Sequence, residues 1–191
     1  MKTPMQRGIT LIEVMIGLVI LGILLAMGVP SFSAWIQSSQ IRNSAESIQN
    51  GLMHARAEAV RRNTTVRFQL VTDLTNGCAV SATGSSWVVS LDDPSGACDS
   101  AASDTVAPRI VQGRSNTEGS RNAVVSGNGI SSINFNGIGQ ANTAATIDIS
   151  NPTGGACAAA GPMRCLRVTV TTGGQVRMCD PARAAADPQG C

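Results

Sequence analysis

One carboxylate stands where water should be absent. Glu13 is the only charge in the run from Ile9 to Val29, 21 residues long and otherwise uncharged. At membrane depth an ionised side chain costs at least ~2.5–3.5 kcal/mol unless it finds a partner, so its presence implies a task. The other side chains able to do chemistry are six cysteines (Cys78, Cys98, Cys157, Cys165, Cys179 and Cys191), a single histidine, His54, and the adjacent pair Asp92-Asp93.

These do not assemble into an enzyme. Nucleophilic catalysis by Ser or Cys needs a base nearby, and His54 falls on an expected helix beside Arg56 and Glu58, as an exposed or interfacial residue. Asp92-Asp93 precedes Pro94 at the end of a strand-like segment, which is turn chemistry rather than a catalytic or calcium-binding pair. The glycines are scattered and form no strand-to-helix phosphate loop. No cofactor is expected. No CxxC pair occurs, so a zinc site is not expected either.

All six cysteines lie beyond residue 77. An even number in an exported domain reads as disulfides. Six cysteines allow several pairings; the nearest-neighbour set, 78–98, 157–165 and 179–191, is the expectation. The last would pin a tail, Pro181 to Gly190, that otherwise has the composition of a disordered segment.

The elements that carry these residues follow from periodicity. At ~1.5 Å per residue the run Ile9–Val29 spans roughly 31 Å as a helix, about the thickness of a bilayer's hydrocarbon. It is longer than the ~7–15-residue core of a secretory signal. Lys2 and Arg7 precede it, which orients the rest of the chain away from the cytoplasm. Beyond Pro30, where a kink is expected, Ile41, Ala45, Ile48, Leu52, Ala55 and Ala59 fall on one helical stripe. The helix should fade at Arg62-Asn63. Strands are expected at 64–71, 87–91, 109–112, 122–125, 132–135, 145–150, 165–171 and 175–179, with a tight hairpin at Thr172-Gly173-Gly174. The fold class is α+β: a long amino-terminal transmembrane and amphipathic helix packed on an antiparallel β-sheet head.

The amino-terminal residues Arg7-Gly8-Ile9-Thr10-Leu11-Ile12-Glu13-Val14 resemble the class III signal of type IV prepilins and type II secretion pseudopilins. The resemblance implies cleavage between Gly8 and Ile9 by a prepilin peptidase, methylation of the new terminus at Ile9, and a charge pair between Glu13 and the terminal amine of a neighbouring subunit. Ile9 stands where the family usually has Phe. The implied organisation is a leader at 1–8, a transmembrane helix at 9–29, its amphipathic continuation at 30–62 and a disulfide-stapled periplasmic head at 63–191.

The head resembles the GspH/FimT group of minor pilins, which includes pseudopilin H. The similar segments are Asn50 to Arg62 at the helix end, Trp87 to Asp93, the turn segment Ile133-Asn134-Phe135-Asn136-Gly137-Ile138-Gly139, and a closing hairpin from Arg167 to Arg177 with Cys179-Asp180-Pro181. The implied function is that of an inner-membrane minor pilin which enters or primes a type IV pilus filament with other pilins. The alternative is minor pseudopilin H of the type II secretion system. A second class, DNA contact by a tip subunit, is implied through Arg164, Arg167, Arg177 and Arg183, each able to grip phosphate bidentately. Gln175 replaces one arginine of that hairpin pattern.

Charge argues against generic nucleic-acid binding. From Ile9 onward there are 12 Arg against 12 acidic residues, a net of zero, and Lys2 is the sole lysine. The distribution is uneven: residues 63–108 carry −4 and residues 109–191 carry +3, expected to reflect complementarity between subunits or simple drift.

Overall fold

The computed structural model describes residues 9–152, 155, 157–158, 161 and 163–191, with 26–31 described by backbone alone. A helix, α1 (Leu11–Arg62), takes up 52 residues, about 78 Å of rise. Its two halves meet different surroundings. From Ile9 to Leu25 every large apolar side chain is at least half exposed. From Ile41 on, the stripe expected from periodicity, Ile41, Ala45, Ile48, Leu52, Ala55 and Ala59, is sealed at 0–1% exposure. Among the described residues no helix is long and apolar enough to cross a membrane.

The helix stops at the expected place. Asn63 adopts the left-handed conformation (φ 48°, ψ 42°), and the backbone amides of Asn63 and Thr64 donate to the carbonyls of Val60 and Ala59. This double closure satisfies the last carbonyls of the helix, and asparagine tolerates the left-handed region better than most residues.

All eight expected strands form, within a few residues at their ends. β1 (Val66–Val71), β2 (Ser86–Ser90), β3 (Ile110–Arg114) and β5 (Ser132–Phe135) make one antiparallel sheet in the order β3-β2-β1-β5. β4 (Val124–Ser126), β6 (Ala145–Ser150), β7 (Leu166–Val170) and β8 (Val176–Cys179) make a second, in the order β4-β6-β7-β8. The expectation of a helix covering one sheet face is refined here, because α1 packs against both sheets. The division arises because β5 returns to pair with β1 (Phe68 opposite Ile133) and ends the first sheet there. β4, which precedes β5 in the chain, pairs instead with β6, and β6, β7 and β8 complete the second sheet.

Alternation along each strand builds the core. Val66, Phe68 and Leu70 of β1, Trp87 and Val89 of β2, Ile133 and Phe135 of β5, and Ile147, Ile149, Val168 and Val170 of the second sheet close over the helix stripe. Gly51 lets the helix sit low: a Cβ there would stand 2.9 Å from the Phe68 ring and 3.0 Å from Trp87. The two rings pack at 5.6 Å between centroids, and Trp87 Nε1 donates to Ser47 Oγ at 2.9 Å. A smaller cluster, Val71, Val88 and Ile110 with Leu74 and Val80, covers the outer face of the first sheet beneath Cys78 and Cys98.

Candidate functional site

The amino-terminal element is the first candidate. Gly8 lies outside the described residues. Ile9 is 77% exposed, and Thr10 is the N-cap of α1 in an extended conformation, with no side-chain cap bond. Glu13 sits in the first turn, where the helix dipole favours negative charge. It is exposed, and among the described residues no ion pair reaches it. Pro30 falls in the stretch described by backbone alone, and the helix continues through it.

The disulfides take the nearest-neighbour set. Cys78 joins Cys98, Cys157 joins Cys165 and Cys179 joins Cys191, with Cα–Cα distances of 6.1, 5.3 and 5.2 Å. The last bond closes a tail that is far from disordered. Arg177 Nη2 donates to the carbonyls of Pro188 (3.0 Å) and Gly190 (2.8 Å). Arg183 reaches Asp187 at 2.7 Å and lies 3.6 Å from Asp180. Asp180 Oδ1 accepts from the Ala182 amide at 2.9 Å, and the Asp180 amide donates to Gln189.

Three of the four arginines suggested for phosphate contact therefore hold internal partners. Arg177 and Arg183 tie the tail. Arg167 makes a two-pronged pair with Asp148, at 2.6 and 3.1 Å. Burial pushes the Asp148 carboxyl up, but Arg167 and Asn128 outweigh it and hold the group below its ordinary range. Arg164 is exposed and lines a cavity of about 420 Å³ with Ser38, Arg42, Leu166, Met178 and Gln189.

Three of the four segments singled out in the sequence meet at one joint. Arg56 Nε on α1 donates to the Gly139 carbonyl at 3.1 Å. Gly139 (φ +80°) ends the turn after β5, and Gly174 (φ +79°) sits in the β7–β8 hairpin directly against it. A Cβ on Gly174 would run into the Gly139 carbonyl oxygen, and one on Gly137 would meet the Asn63 backbone at 2.9 Å. The helix end, the turn and the closing hairpin are thus three sides of one contact that joins α1 to both sheets. Alongside it, Glu58 bonds Arg61 and Arg62 at 2.7 Å each, and Arg62 reaches across to Asp104 at 2.6 Å. Those bonds, with Arg61 first, hold the Glu58 carboxyl down at about 2.

The remaining candidates are structural. Asp93 accepts from the Ser95 amide and hydroxyl at 3.0 and 2.7 Å, and Asp92 is gripped by Arg109 at 2.7 and 2.6 Å, so the pair forms a turn. His54 is half-buried on α1, with Nδ1 shielded and without a hydrogen-bond partner. Among the described residues no three His, Cys, Asp or Glu side chains group as a metal site would require. Neither Arg56 nor Gly174 was singled out as a site from sequence. The signal available was a glycine in each of two separate turns, with nothing to say that the turns touch.

Comparison with known proteins gives the family. The model described as type II transport protein GspH matches residues 44–183, and the prokaryotic N-terminal methylation motif matches residues 3–29. The chain belongs to the GspH family, with an N-terminal methylation motif in front of its head. No curated protein matches. Among solved structures, the chain is similar to the type IV minor pilin FimU of Pseudomonas aeruginosa in two crystal forms. One is 15% identical over 79% of this chain and 94% of FimU, with a TM-score of 0.48. The other is 13% identical over 78% and 98%, with a TM-score of 0.47.

Proposed function

We propose that this chain is a minor pilin, an inner-membrane prepilin that enters or primes a type IV pilus filament with its head in the periplasm. The observation that carries the reading is the division of α1. Its first part presents apolar side chains to its surroundings from Ile9 to Leu25, while its second part is sealed into the head from Ile41 onward. A helix half bare and half covered is suited to packing against copies of the same element. The methylation motif over residues 3–29 supports the same reading.

On this reading residues 1–8 are a leader removed by a prepilin peptidase after Gly8, Ile9 becomes the methylated terminus, and 9–29 anchors the subunit in the membrane before assembly. Glu13 compensates the terminal amine of a neighbouring subunit. The stabilisation that makes a buried carboxylate tolerable is then available only in the filament. The test is Glu13→Val: membrane insertion is retained and filament incorporation is lost. Normal incorporation of that variant overturns the pairing role.

The alternative, minor pseudopilin H of a type II secretion machine, is favoured by the description of the matching family as a type II transport protein. Deleting the gene separates the two: loss of surface pili supports the first, and loss of exoprotein secretion with pili intact supports the second. DNA contact by the head rests on Arg164, Arg167, Arg177 and Arg183. A salt-titrated mobility-shift assay tests it, because phosphate contacts give a steep dependence on salt.

A further inference from the structure

Between the bare part of α1 and the part sealed into the head lies a short segment that neither the core nor the strands cover. Phe32 is 62% exposed, Trp35 65% and Ile36 37%. Trp35 and Ile36 stand three and four residues after Phe32, which places them beside it on one stripe of the helix. The Phe32 and Trp35 rings stack at 5.9 Å between centroids and 27° between planes. The first contacts of the head come immediately above: Gln37 accepts from Asn151, Gln40 accepts from the Asn122 amide at 3.2 Å, and Ile41 is sealed. The two tryptophans contrast. Trp87 is buried with its indole N–H bonded to Ser47, whereas Trp35 is exposed and makes no indole hydrogen bond among the described residues.

We infer that Phe32 and Trp35 form an aromatic collar that seats α1 in the phospholipid headgroup layer, at the level where the membrane anchor gives way to the head. The inference rests on the membrane-anchor reading proposed above. With residues 9–29 filling the hydrocarbon, Phe32 lies ~4.5 Å and Trp35 ~9 Å beyond Val29 along the axis. The headgroup layer on each side is roughly 5–7 Å deep. Helical side chains lean toward the amino terminus, here toward the bilayer, which lowers both rings into that layer. An indole with an apolar body and a free N–H is the side chain that partitions there, because one part meets acyl chain and the other meets water or phosphate. The collar fixes the depth of the anchor, and with it the height at which the head stands over the surface. A subunit waiting in the membrane is thereby held at one level before assembly.

Trp87→Phe leaves Trp35 as the sole emitter, and the full-length variant is reconstituted into phosphatidylcholine vesicles. The lipids are brominated either near the glycerol end of the acyl chains or near the terminal methyl. Flotation of the vesicles first establishes whether the chain is anchored. The expected result is flotation with the protein, and quenching of Trp35 about twofold stronger by the shallow bromines than by the deep ones. Stronger quenching by the deep bromines, or none from either lipid in protein that floats, overturns the collar and leaves the anchor standing. Failure to float overturns the anchor reading and the collar with it. Should Trp87→Phe fail to fold, the difference in quenching between the wild-type chain and Trp35→Phe gives the same readout.

Discussion

Arg56 donates its Nε hydrogen to the carbonyl of Gly139 across 3.1 Å, 83 residues away in sequence, and this bond ties the helix to the turn on which the closing hairpin rests. Gly174 sits against the same carbonyl at φ +79°. Alanine at 174 must adopt a left-handed conformation that costs roughly 1–2 kcal/mol and must also push the turn away. Gly174→Ala is therefore expected to lower stability by more than about 2 kcal/mol, and Arg56→Ala by about 1 kcal/mol. The two losses should be less than additive in the double variant, because they share one contact. Denaturant titrations of the full chain in detergent measure this; independent, additive losses would show that no such joint exists.

Arg177 behaves as a clamp on the tail. It shares the Pro188 and Gly190 carbonyls with one guanidinium, beside the Cys179–Cys191 bond that closes the loop. Removing both cysteines is expected to cost about 3 kcal/mol. Arg177→Gln is expected to expose the tail to proteolysis with the disulfide still in place. In a DNA shift assay, neutralising Arg164 is the informative variant, because Arg164 can be changed without releasing the tail. Retarded migration that survives Arg164→Gln, but disappears in a folded Arg177→Gln protein with a protected tail, would make Arg177 a phosphate contact rather than a clamp.

Acid should weaken the head over a defined window. Glu58 is held down at about 2 by Arg61 and Arg62, Asp92 is lowered by Arg109, and Asp93 by the amide and hydroxyl of Ser95. Each folded-state value lies below the unfolded one, so the stabilisation is fully present above about pH 5 and is lost as pH falls toward about 2. Thermal melts should give a Tm that is level above that window and declines through it. Glu58→Gln should start lower and decline less. A Tm unchanged between those limits would mean that these ion pairs and hydrogen bonds contribute nothing to folding.

Much of this architecture could be read from residue order. Alternation at Val66, Phe68 and Leu70 gave β1, and the four-three spacing from Ile41 to Ala59 gave the buried stripe, because both are local consequences of backbone period. The helix end was legible at Arg62-Asn63 because the residues that follow, Thr64, Thr65 and Val66, change to strand-like types, while the left-handed conformation of Asn63 that closes it was not. Long-range pairing was not legible: nothing near Ser132 says that β5 returns to β1, and that return splits the strands into two sheets. The internal partners of Arg167, Arg177 and Arg183 were not legible for a related reason. A guanidinium that clamps carbonyls or a carboxylate is the same residue type as one that waits for phosphate, and only the folded partner tells them apart. Some of the uneven charge along the chain is likewise internal, since Asp104 serves Arg62 and Asp92 serves Arg109.

Intact mass of the subunit recovered from sheared filaments tests the central claim most directly. A chain that begins at Ile9, lacks the first eight residues and carries one added methyl, and that is absent from filaments when Glu13 is valine, is the result expected of a minor pilin. A chain that keeps Met1 through Gly8 and never appears in a filament would contradict it.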